Sequence, residues 1–167
     1  MEKIEMKVLD KTFEPTIVAF FCNWCTYTAA DLAGVSRIKH APNIRVIRVM
    51  CSGRVDPQFI YDSFAKGADG VLIGGCHPGD CHYQEGNYKC LRRFQLLKRM
   101  IKDLGIHEDR MRLEWISASE GDRVRVVIND MVSKIKKLGP LSLPKHFAEW
   151  NKEMVVDEIE NEEVQYA

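Results

Sequence analysis

Five of the six cysteines in this 167-residue chain fall into three short clusters, and each cluster follows an apolar, strand-like segment. The five are Cys22, Cys25, Cys51, Cys76 and Cys81. The segments before them are residues 17–21, 44–50 and 71–75. Thiols gathered in this way bind soft metals or carry out redox chemistry. We interpret them as functional rather than as small buried side chains, because core cysteines would not collect beside Gly, His and Asp.

The three apolar segments read as buried strands of a parallel sheet. In such a sheet the carboxyl ends of all strands share one edge, and open α/β sheets bind their ligands at that edge. We therefore expect thiols from three distant parts of the chain to converge at one place.

The segment Cys22-Asn-Trp-Cys25 is compatible with two chemistries. A thioredoxin-like dithiol uses this spacing between a strand and a helix, because the helix N-terminus stabilises the thiolate. A metal or an iron–sulfur cluster uses it because both sulfurs reach the same centre. A plain dithiol gains nothing from the other three cysteines, so the sequence favours a metal centre.

Four thiolates can hold zinc or a 2Fe–2S cluster. Structural zinc staples small loops, and a domain that can build its own core does not need it. We therefore predict a 2Fe–2S cluster held by four of the five cysteines. A thiol–disulfide oxidoreductase acting through Cys22 and Cys25 and a zinc-binding adaptor stay as alternatives.

The loop Gly74-Gly-Cys-His-Pro-Gly-Asp-Cys-His82 allows the backbone to approach a cluster closely. His77 and His82 are candidates for tuning the potential or for Rieske-type ligation, although we expect them to lie beside the site or on the surface. Arg54 can offset the charge of a thiolate-bound cluster, contact a partner or face solvent. Cys90 lies within a helical pattern and is interpreted as a packing residue.

Strand-like and helix-like segments alternate along the chain. We predict strands at 15–22, 44–51, 70–75 and 111–116, and helices at 26–38, 57–66, 87–104 and from about 120 to 138. Asp56 and Pro57 are typical of an N-terminal cap, Ser119 with Asp122 resembles a capping box, and Gly67 suits a helix C-terminus. The pattern predicts a small α/β fold of flavodoxin-like order, with about four parallel strands, helices on both faces and strand one inside the sheet.

The predicted third helix has two distinct faces. The first is apolar and consists of Leu91, Phe94, Leu97, Ile101 and Leu104. The second is basic and consists of Lys89, Arg92, Arg93, Lys98, Arg99 and Lys102.

The chain divides by composition into a domain at 1–139 and a tail at 140–167. Leu141-Ser-Leu-Pro144 is predicted to be extended. Residues 145–167 carry seven acidic and two lysine side chains. Phe147, Trp150 and Met154 can share one face of a short helix, so the tail is either solvated or an arm that docks on a partner.

The overall composition argues against several classes of protein. Lys plus Arg and Asp plus Glu are both 24, so the net charge is zero and nothing indicates nucleic-acid binding. No apolar run approaches the roughly 20 residues of a membrane span. The first residues lack the apolar stretch of a signal peptide, so we expect a cytoplasmic protein, in which disulfides rarely persist.

Three motifs together resemble a known family. They are Phe21-Cys-Asn-Trp-Cys-Thr-Tyr27, Met50-Cys-Ser-Gly-Arg-Val-Asp-Pro57, and Gly67-Ala-Asp-Gly-Val-Leu-Ile-Gly-Gly-Cys-His-Pro-Gly-Asp-Cys-His-Tyr83 followed by Glu85-Gly-Asn87. The chain is similar over about residues 14–138 to the delta (iron–sulfur) subunit of methyl-viologen-reducing hydrogenase, the MvhD family. The family's five motif cysteines match Cys22, Cys25, Cys51, Cys76 and Cys81, and Cys90 is not among them.

The resemblance implies a 2Fe–2S electron-transfer subunit without catalysis of its own, working within an oxidoreductase complex of methanogenic archaea. Its electrons would come from a nickel–iron hydrogenase or a formate dehydrogenase. They would pass to the FAD-containing, electron-bifurcating subunit of heterodisulfide reductase. The choice of donor and of the four ligands among the five cysteines is left open by the sequence.

Overall fold

The computed structural model describes residues 13–143 and contains one sheet of four parallel strands in the order β2-β1-β3-β4. The strands are β1 (Ile17–Cys22), β2 (Ile44–Val49), β3 (Gly70–Gly75) and β4 (Met111–Trp115). The helices are α1 (Thr26–Val35), α2 (Pro57–Ala65), α3 (Gly86–Asp103) and α4 (Gly121–Leu138). Two 3₁₀ turns lie at Ser52–Arg54 and Glu108–Arg110. The predicted flavodoxin-like order, with strand one inside the sheet, is confirmed.

Helices cover both faces of the sheet because the central strands are apolar on both sides. Ala19 and Phe21 of β1 point to the layer formed by α1 and α4, where Ile128 and Met131 are buried. Phe20, between them in sequence, points to the opposite layer formed by α2 and α3. This alternation is what a strand buried on both faces requires.

The ends of α2 follow the predicted signals. The Asp56 carboxylate accepts a hydrogen bond from the backbone N–H of Gln58 at 2.9 Å, and Pro57 is the first helical residue. Gly67 follows the helix with φ of +96°, a value that favours glycine. The capping box predicted at Ser119 and Asp122 is wrong. The residue that precedes α4 is Glu120, whose carboxylate instead accepts a hydrogen bond from the Ser117 N–H at 2.6 Å.

The prediction that β2 is buried is also wrong. β2 pairs with β1 and forms an edge of the sheet, and Val46 and Ile47 are exposed. Arg45 and Arg48 flank these two residues, and charged side chains are typical of an edge strand. The apolar run had indicated a strand correctly, but its composition does not distinguish a central position from an edge.

Two predictions for α3 need correction. Leu97 and Ile101 are buried as expected, but Leu104 is exposed because it lies beyond the last helical residue, Asp103. Arg93 is not part of a solvated basic face. It is half-buried, and its guanidinium donates hydrogen bonds of 2.8 Å to the carbonyl oxygens of Gly53 and Val55.

The segment after α4 bends back onto the domain. Ser142 has φ of +55°, so the part of the predicted extended segment that the structure describes, residues 141–143, is not simply extended. The Leu141 N–H donates to the Asp69 carboxylate at 3.0 Å, and Leu143 packs against the core beneath α2 and α3. The remainder of the predicted tail, including Phe147, Trp150 and Met154, lies outside the described residues. No helix within the described part of the chain is long and apolar enough to cross a membrane.

Candidate metal centre

The structure brings the five motif cysteines to the carboxyl edge of the sheet in two groups. The Sγ atoms of Cys22, Cys25 and Cys76 all lie within 4.8 Å of one another, and all three side chains are buried. Cys51 and Cys81 form a second group, with their Sγ atoms 3.8 Å apart. The Cys22 Sγ lies 3.8 Å from the Met50 carbonyl oxygen, so the two groups adjoin through the chain next to Cys51.

The strands explain this convergence. Cys22 is the last residue of β1 and pairs with Val49 of β2, so the chain beyond β2 places Cys51 beside it. Cys76 follows Gly75, the last residue of β3. Cys25 directly precedes α1 and is fixed by the turn between β1 and that helix. These four thiols therefore lie at or next to a strand end or a helix end, whereas Cys81 lies in the loop between β3 and α3.

The sulfur spacing fits metal coordination. Two thiolates on one tetrahedral ion with bonds of about 2.3 Å lie about 3.8 Å apart. The distances are 3.8 Å for Cys22–Cys76 and 3.8 Å for Cys51–Cys81. A donor set made only of cysteine sulfur suits zinc or an iron–sulfur cluster. The residues present therefore fit a metal ion or an iron–sulfur cluster held by cysteine sulfur.

The thiols of the first group influence one another strongly. Hydrogen bonds from the Cys25 and Cys76 thiols stabilise a thiolate at Cys22 and lower its pKa. The Cys22 sulfur in turn raises the pKa of both Cys25 and Cys76. The Cys22 thiolate is therefore stabilised by its two neighbours and opposes the ionisation of both of them, an opposition that a bound cation would offset.

The second group lies at the N-terminus of α3. Burial by itself would raise the pKa of Cys81, but the backbone N–H groups of Asn87, Tyr83 and Gly86 outweigh burial and lower this pKa. Burial raises the pKa of Cys51, although the Gly53 N–H, 3.4 Å from its sulfur, opposes this effect. The N–H groups at the start of α3 thus stabilise a negatively charged sulfur, as expected at a helix N-terminus.

Gly86 makes room for this pair of thiols. A Cβ atom at Gly86 would lie 2.1 Å from the Cys51 Sγ and 3.1 Å from the Cys81 Sγ. Neither distance leaves space for a side chain. Glycine is thus required at the first residue of α3 by a close approach of the backbone to sulfur, not by backbone conformation.

Asn87 is a buried polar side chain that joins α3 to the Cys76 segment. Its Nδ2 donates to the carbonyl oxygens of Cys76 at 3.2 Å and His77 at 2.8 Å. Its Oδ1 accepts from the Tyr88 N–H at 2.9 Å. Asn87 therefore fixes the backbone segment of Cys76 to the N-terminus of α3, beside which Cys81 also lies.

The two histidines of the loop have partners other than sulfur. The His77 Nε2 lies 2.8 Å from the Glu120 carboxylate, ahead of α4. The His82 ring stacks on the Trp24 ring, with centroids 3.8 Å apart and planes 14° from parallel. This stack joins the Cys22–Cys25 turn to the residue after Cys81.

Cys90 has a different environment from the other five cysteines. It is buried in the core beneath α2 and α3 with Phe20 and Val55. Burial raises the pKa of its thiol to about 12. A neutral, inert thiol is what a packing residue requires.

The surface around the thiol edge is unusually rich in large exposed side chains. Trp24, Met50, Tyr83 and Tyr88 are all exposed, and each is close in sequence to a motif cysteine. Exposed apolar and aromatic residues in one region are typical of a surface that contacts another protein.

Four residues that shape the site had no predicted role: Gly86, Asn87, Arg93 and Glu120. Their functions depend on contacts with residues 10 to 43 positions away, such as Asn87 with His77 and Glu120 with His77. The only indication in the sequence was that Gly86 and Asn87 belong to the segment Glu85-Gly-Asn87, which is part of the motifs that resemble the family.

Comparison with known proteins identifies one family. A family model described as methyl-viologen-reducing hydrogenase, delta subunit, matches residues 17–139. The vhc iron-sulfur subunit of the F420-non-reducing hydrogenase of Methanococcus voltae is 56% identical over 136 residues, which is 81% of this chain and 94% of that protein. The iron-sulfur subunit of the F420-non-reducing hydrogenase of Archaeoglobus profundus is 53% identical over 137 residues, or 82% of this chain and 100% of that protein.

A third relative has a different organisation. It is a subunit of the ferredoxin/F420H2-dependent CoB-CoM heterodisulfide reductase of Methanosarcina acetivorans, and it is 46% identical over 146 residues. The alignment covers 87% of this chain but only 18% of that protein. The equivalent of this chain is therefore one segment of a much longer polypeptide in that relative.

Proposed function

This chain belongs to the methyl-viologen-reducing hydrogenase delta-subunit family, and on that premise we propose that it is an electron-transfer subunit that carries one 2Fe–2S cluster. It holds the cluster with four of the five cysteines Cys22, Cys25, Cys51, Cys76 and Cys81. When bound, such a cluster accepts and releases one electron at a time. The observation that carries the proposal is the pair of 3.8 Å sulfur–sulfur distances, Cys22–Cys76 and Cys51–Cys81.

The ligands divide between the two irons according to these groups. Cys51 and Cys81 hold one iron, and two of Cys22, Cys25 and Cys76 hold the other. Cys22 and Cys76 are favoured because their spacing matches that of two thiolates on one tetrahedral ion. Cys25 then lies beside them, with its sulfur 3.7 Å from the Thr26 hydroxyl.

The protein around the ligands performs three tasks. Burial of Cys22, Cys25 and Cys76 excludes water from the inner side of the site. Backbone N–H groups at the start of α3 and at Gly53 point at the sulfurs of Cys81 and Cys51, which stabilises their negative charge. Asn87 and Arg93 brace the two backbone segments that carry Cys76 and Cys51.

The downstream partner is the FAD-containing subunit of heterodisulfide reductase. The Methanosarcina acetivorans relative supports this, because in that protein the equivalent segment is part of a polypeptide named as a component of such a reductase. Fusion of two modules keeps them at high effective concentration, which is useful when they must exchange electrons. The relatives named as hydrogenase subunits support a nickel–iron hydrogenase as the upstream donor, with a formate dehydrogenase as the alternative.

The chemical test uses the chain purified without oxygen. We expect about two iron and about two acid-labile sulfide per chain, and broad visible absorption that bleaches on reduction with one electron. Stoichiometric zinc without sulfide would instead establish the zinc-binding adaptor. A colourless, metal-free protein that reduces disulfides through Cys22 would establish the thiol–disulfide oxidoreductase, for which the burial of Cys22 and Cys25 is unfavourable.

The partner is tested with a matched pair of surface substitutions. Met50 beside the thiol edge and Val126 on α4 are 57% and 58% exposed. Met50→Glu should reduce recovery of the reductase subunit in co-purification without loss of iron, because it places a charge in the proposed contact surface. Val126→Glu should change neither. Equal recovery with both variants would contradict the assignment of this surface.

A further inference from the structure

An exposed apolar stripe runs along helix α3 and continues onto Leu104, the residue that follows the helix. Leu96, Met100 and Leu104 are 60%, 44% and 61% exposed. They are spaced four residues apart, so they follow one another along the helix surface. Their neighbours Leu97 and Ile101 are buried against the sheet, so the stripe is not part of the core beneath the helix.

Basic side chains flank this stripe. Arg92 and Arg99 are exposed and lie along one side of it at helical spacing. Within residues 13–143, the ion pairs of α3 are Lys89–Glu85 at 3.6 Å and Lys98–Glu108 at 3.0 Å. Arg92 and Arg99 therefore have no acidic partner in that part of the chain, and Asp103 is the only acidic residue near the stripe within it. An apolar stripe bordered by two arginines favours an acidic, amphipathic occupant.

The chain itself has such a segment, and it starts nearby. Leu141 and Leu143 pack against the core cluster that also contains Leu97 and Ile101 of α3, so the chain leaves the described region beside the layer formed by α2 and α3. In the 24 residues that follow, Phe147, Trp150 and Met154 recur at helical spacing. Glu149, Glu153 and Asp157 recur every fourth residue beside them.

The dimensions of the two surfaces agree. At a rise of 1.5 Å per residue, a helix would place Phe147 and Met154 about 10 Å apart along its axis, and Leu96 and Leu104 are separated by about 12 Å by the same measure. The segment lies beyond the family match, which ends at residue 139. An alignment of 137 residues covers the whole Archaeoglobus profundus relative, so this chain has an extension relative to that protein.

We infer that residues 147–157 dock on α3 of their own chain. Phe147, Trp150 and Met154 cover the stripe of Leu96, Met100 and Leu104. Glu149, Glu153 and Asp157 lie on the side of Arg92 and Arg99. The extension thereby removes an apolar surface from water, and the thiol edge is left open to the partner proteins. This inference does not depend on the bound cofactor.

The test is photo-cross-linking of the full chain, alone and within its native complex. Met100→benzoylphenylalanine should cross-link, on irradiation, to a peptide from residues 144–167 of the same chain, identified by mass spectrometry. Val126→benzoylphenylalanine, on α4, is the matched control at equal exposure and should give no such product. Adding Arg92→Glu and Arg99→Glu should lower the yield at Met100 about fivefold or more, because two attractive contacts become repulsive.

Three outcomes would overturn the inference. A product joining two copies of the chain would show that the stripe is an interface between copies. A product formed only with a partner protein in the native complex would show that the stripe is a partner surface. Equal yields of the tail peptide from positions 100 and 126, or a yield at position 100 that is unaffected by the two arginine substitutions, would show that the tail has no preferred site on α3.

Discussion

Substitution of Gly86 is the sharpest test of the two-group arrangement of thiols. A Cβ atom at this position would lie 2.1 Å from the Cys51 Sγ. Non-bonded heavy atoms require about 3.5 Å or more, so the sulfur or the start of α3 must move by about 1.4 Å. Metal–ligand distances tolerate shifts of only about 0.2 Å. Gly86→Ala should therefore disrupt binding at Cys51 and Cys81 even though no ligand is changed.

Gly34→Ala is the matched control. Gly34 lies in α1, and nothing is within 4 Å of a Cβ atom built there. Alanine should be neutral at this position or should stabilise the helix by up to about 1 kcal/mol. The two variants therefore make the same chemical change in helices of the same domain, but only the Cβ added at Gly86 clashes with a sulfur.

The assay combines iron and acid-labile sulfide content, the visible spectrum and far-ultraviolet circular dichroism. We expect Gly86→Ala to lose most of its iron and sulfide while it retains a folded circular dichroism spectrum, and Gly34→Ala to match the unmodified chain. Full iron content and an unchanged spectrum in Gly86→Ala would refute the assignment of Cys51 and Cys81 as a ligand pair beside the α3 N-terminus.

Three further predictions concern the residues around the site. Cys51→Ala should abolish or distort the visible spectrum, whereas Cys90→Ala should preserve it because Cys90 is a buried packing residue with a raised pKa. Equal loss of the visible absorption in both variants would show that the ligand set is wrong. Asn87→Ala should lower the free energy of unfolding by about 2 kcal/mol, or Tm by about 4–8 °C, because it leaves the buried Cys76 carbonyl oxygen without its donor and leaves the His77 carbonyl oxygen with only the Asp80 N–H. Gln95→Ala, on the exposed side of α3, is the control and should leave Tm unchanged. Hydrogen bonds from the Ser117 N–H and from His77 hold the pKa of Glu120 below its usual range. The stabilisation that Glu120 provides is therefore complete above the unfolded pKa of about 4.3 and is lost as pH falls through the lower folded value. Glu120→Gln should flatten the dependence of Tm on pH below about 4.3, and an unchanged dependence in that range would contradict this.

The secondary structure and strand order were predictable because local signals and the core agreed. Asp56, Pro57 and Gly67 fixed the limits of α2, and apolar periodicity indicated α3 and α4. The edge position of β2 was not predictable, since its apolar composition resembles that of a central strand. The wrong cap at Ser119 has a similar origin. Glu120 takes the Ser117 N–H instead and bonds to His77, a residue 43 positions away.

The convergence of the five cysteines at one edge was predictable, but their arrangement there was not. Parallel strands were sufficient to bring the cysteines to one edge. The division into a buried group of three and a pair at the start of α3 depends on where that helix begins relative to the loop after Cys81. That position is set by Gly86 packing against the Cys51 sulfur and by Asn87 bonding to the Cys76 and His77 carbonyls. Both are contacts between segments that no local pattern records.

The arrangement of thiols also explains why the surrounding fold is so complete. Three buried, closely spaced sulfurs oppose simultaneous ionisation, because the Cys22 sulfur raises the pKa of both Cys25 and Cys76. The scaffold must therefore hold them together without help from a metal. The two core layers on either side of the central strands provide that stability. The cysteines of the proposed cluster are then positioned before it binds, which is the preorganisation that electron exchange with little structural change requires.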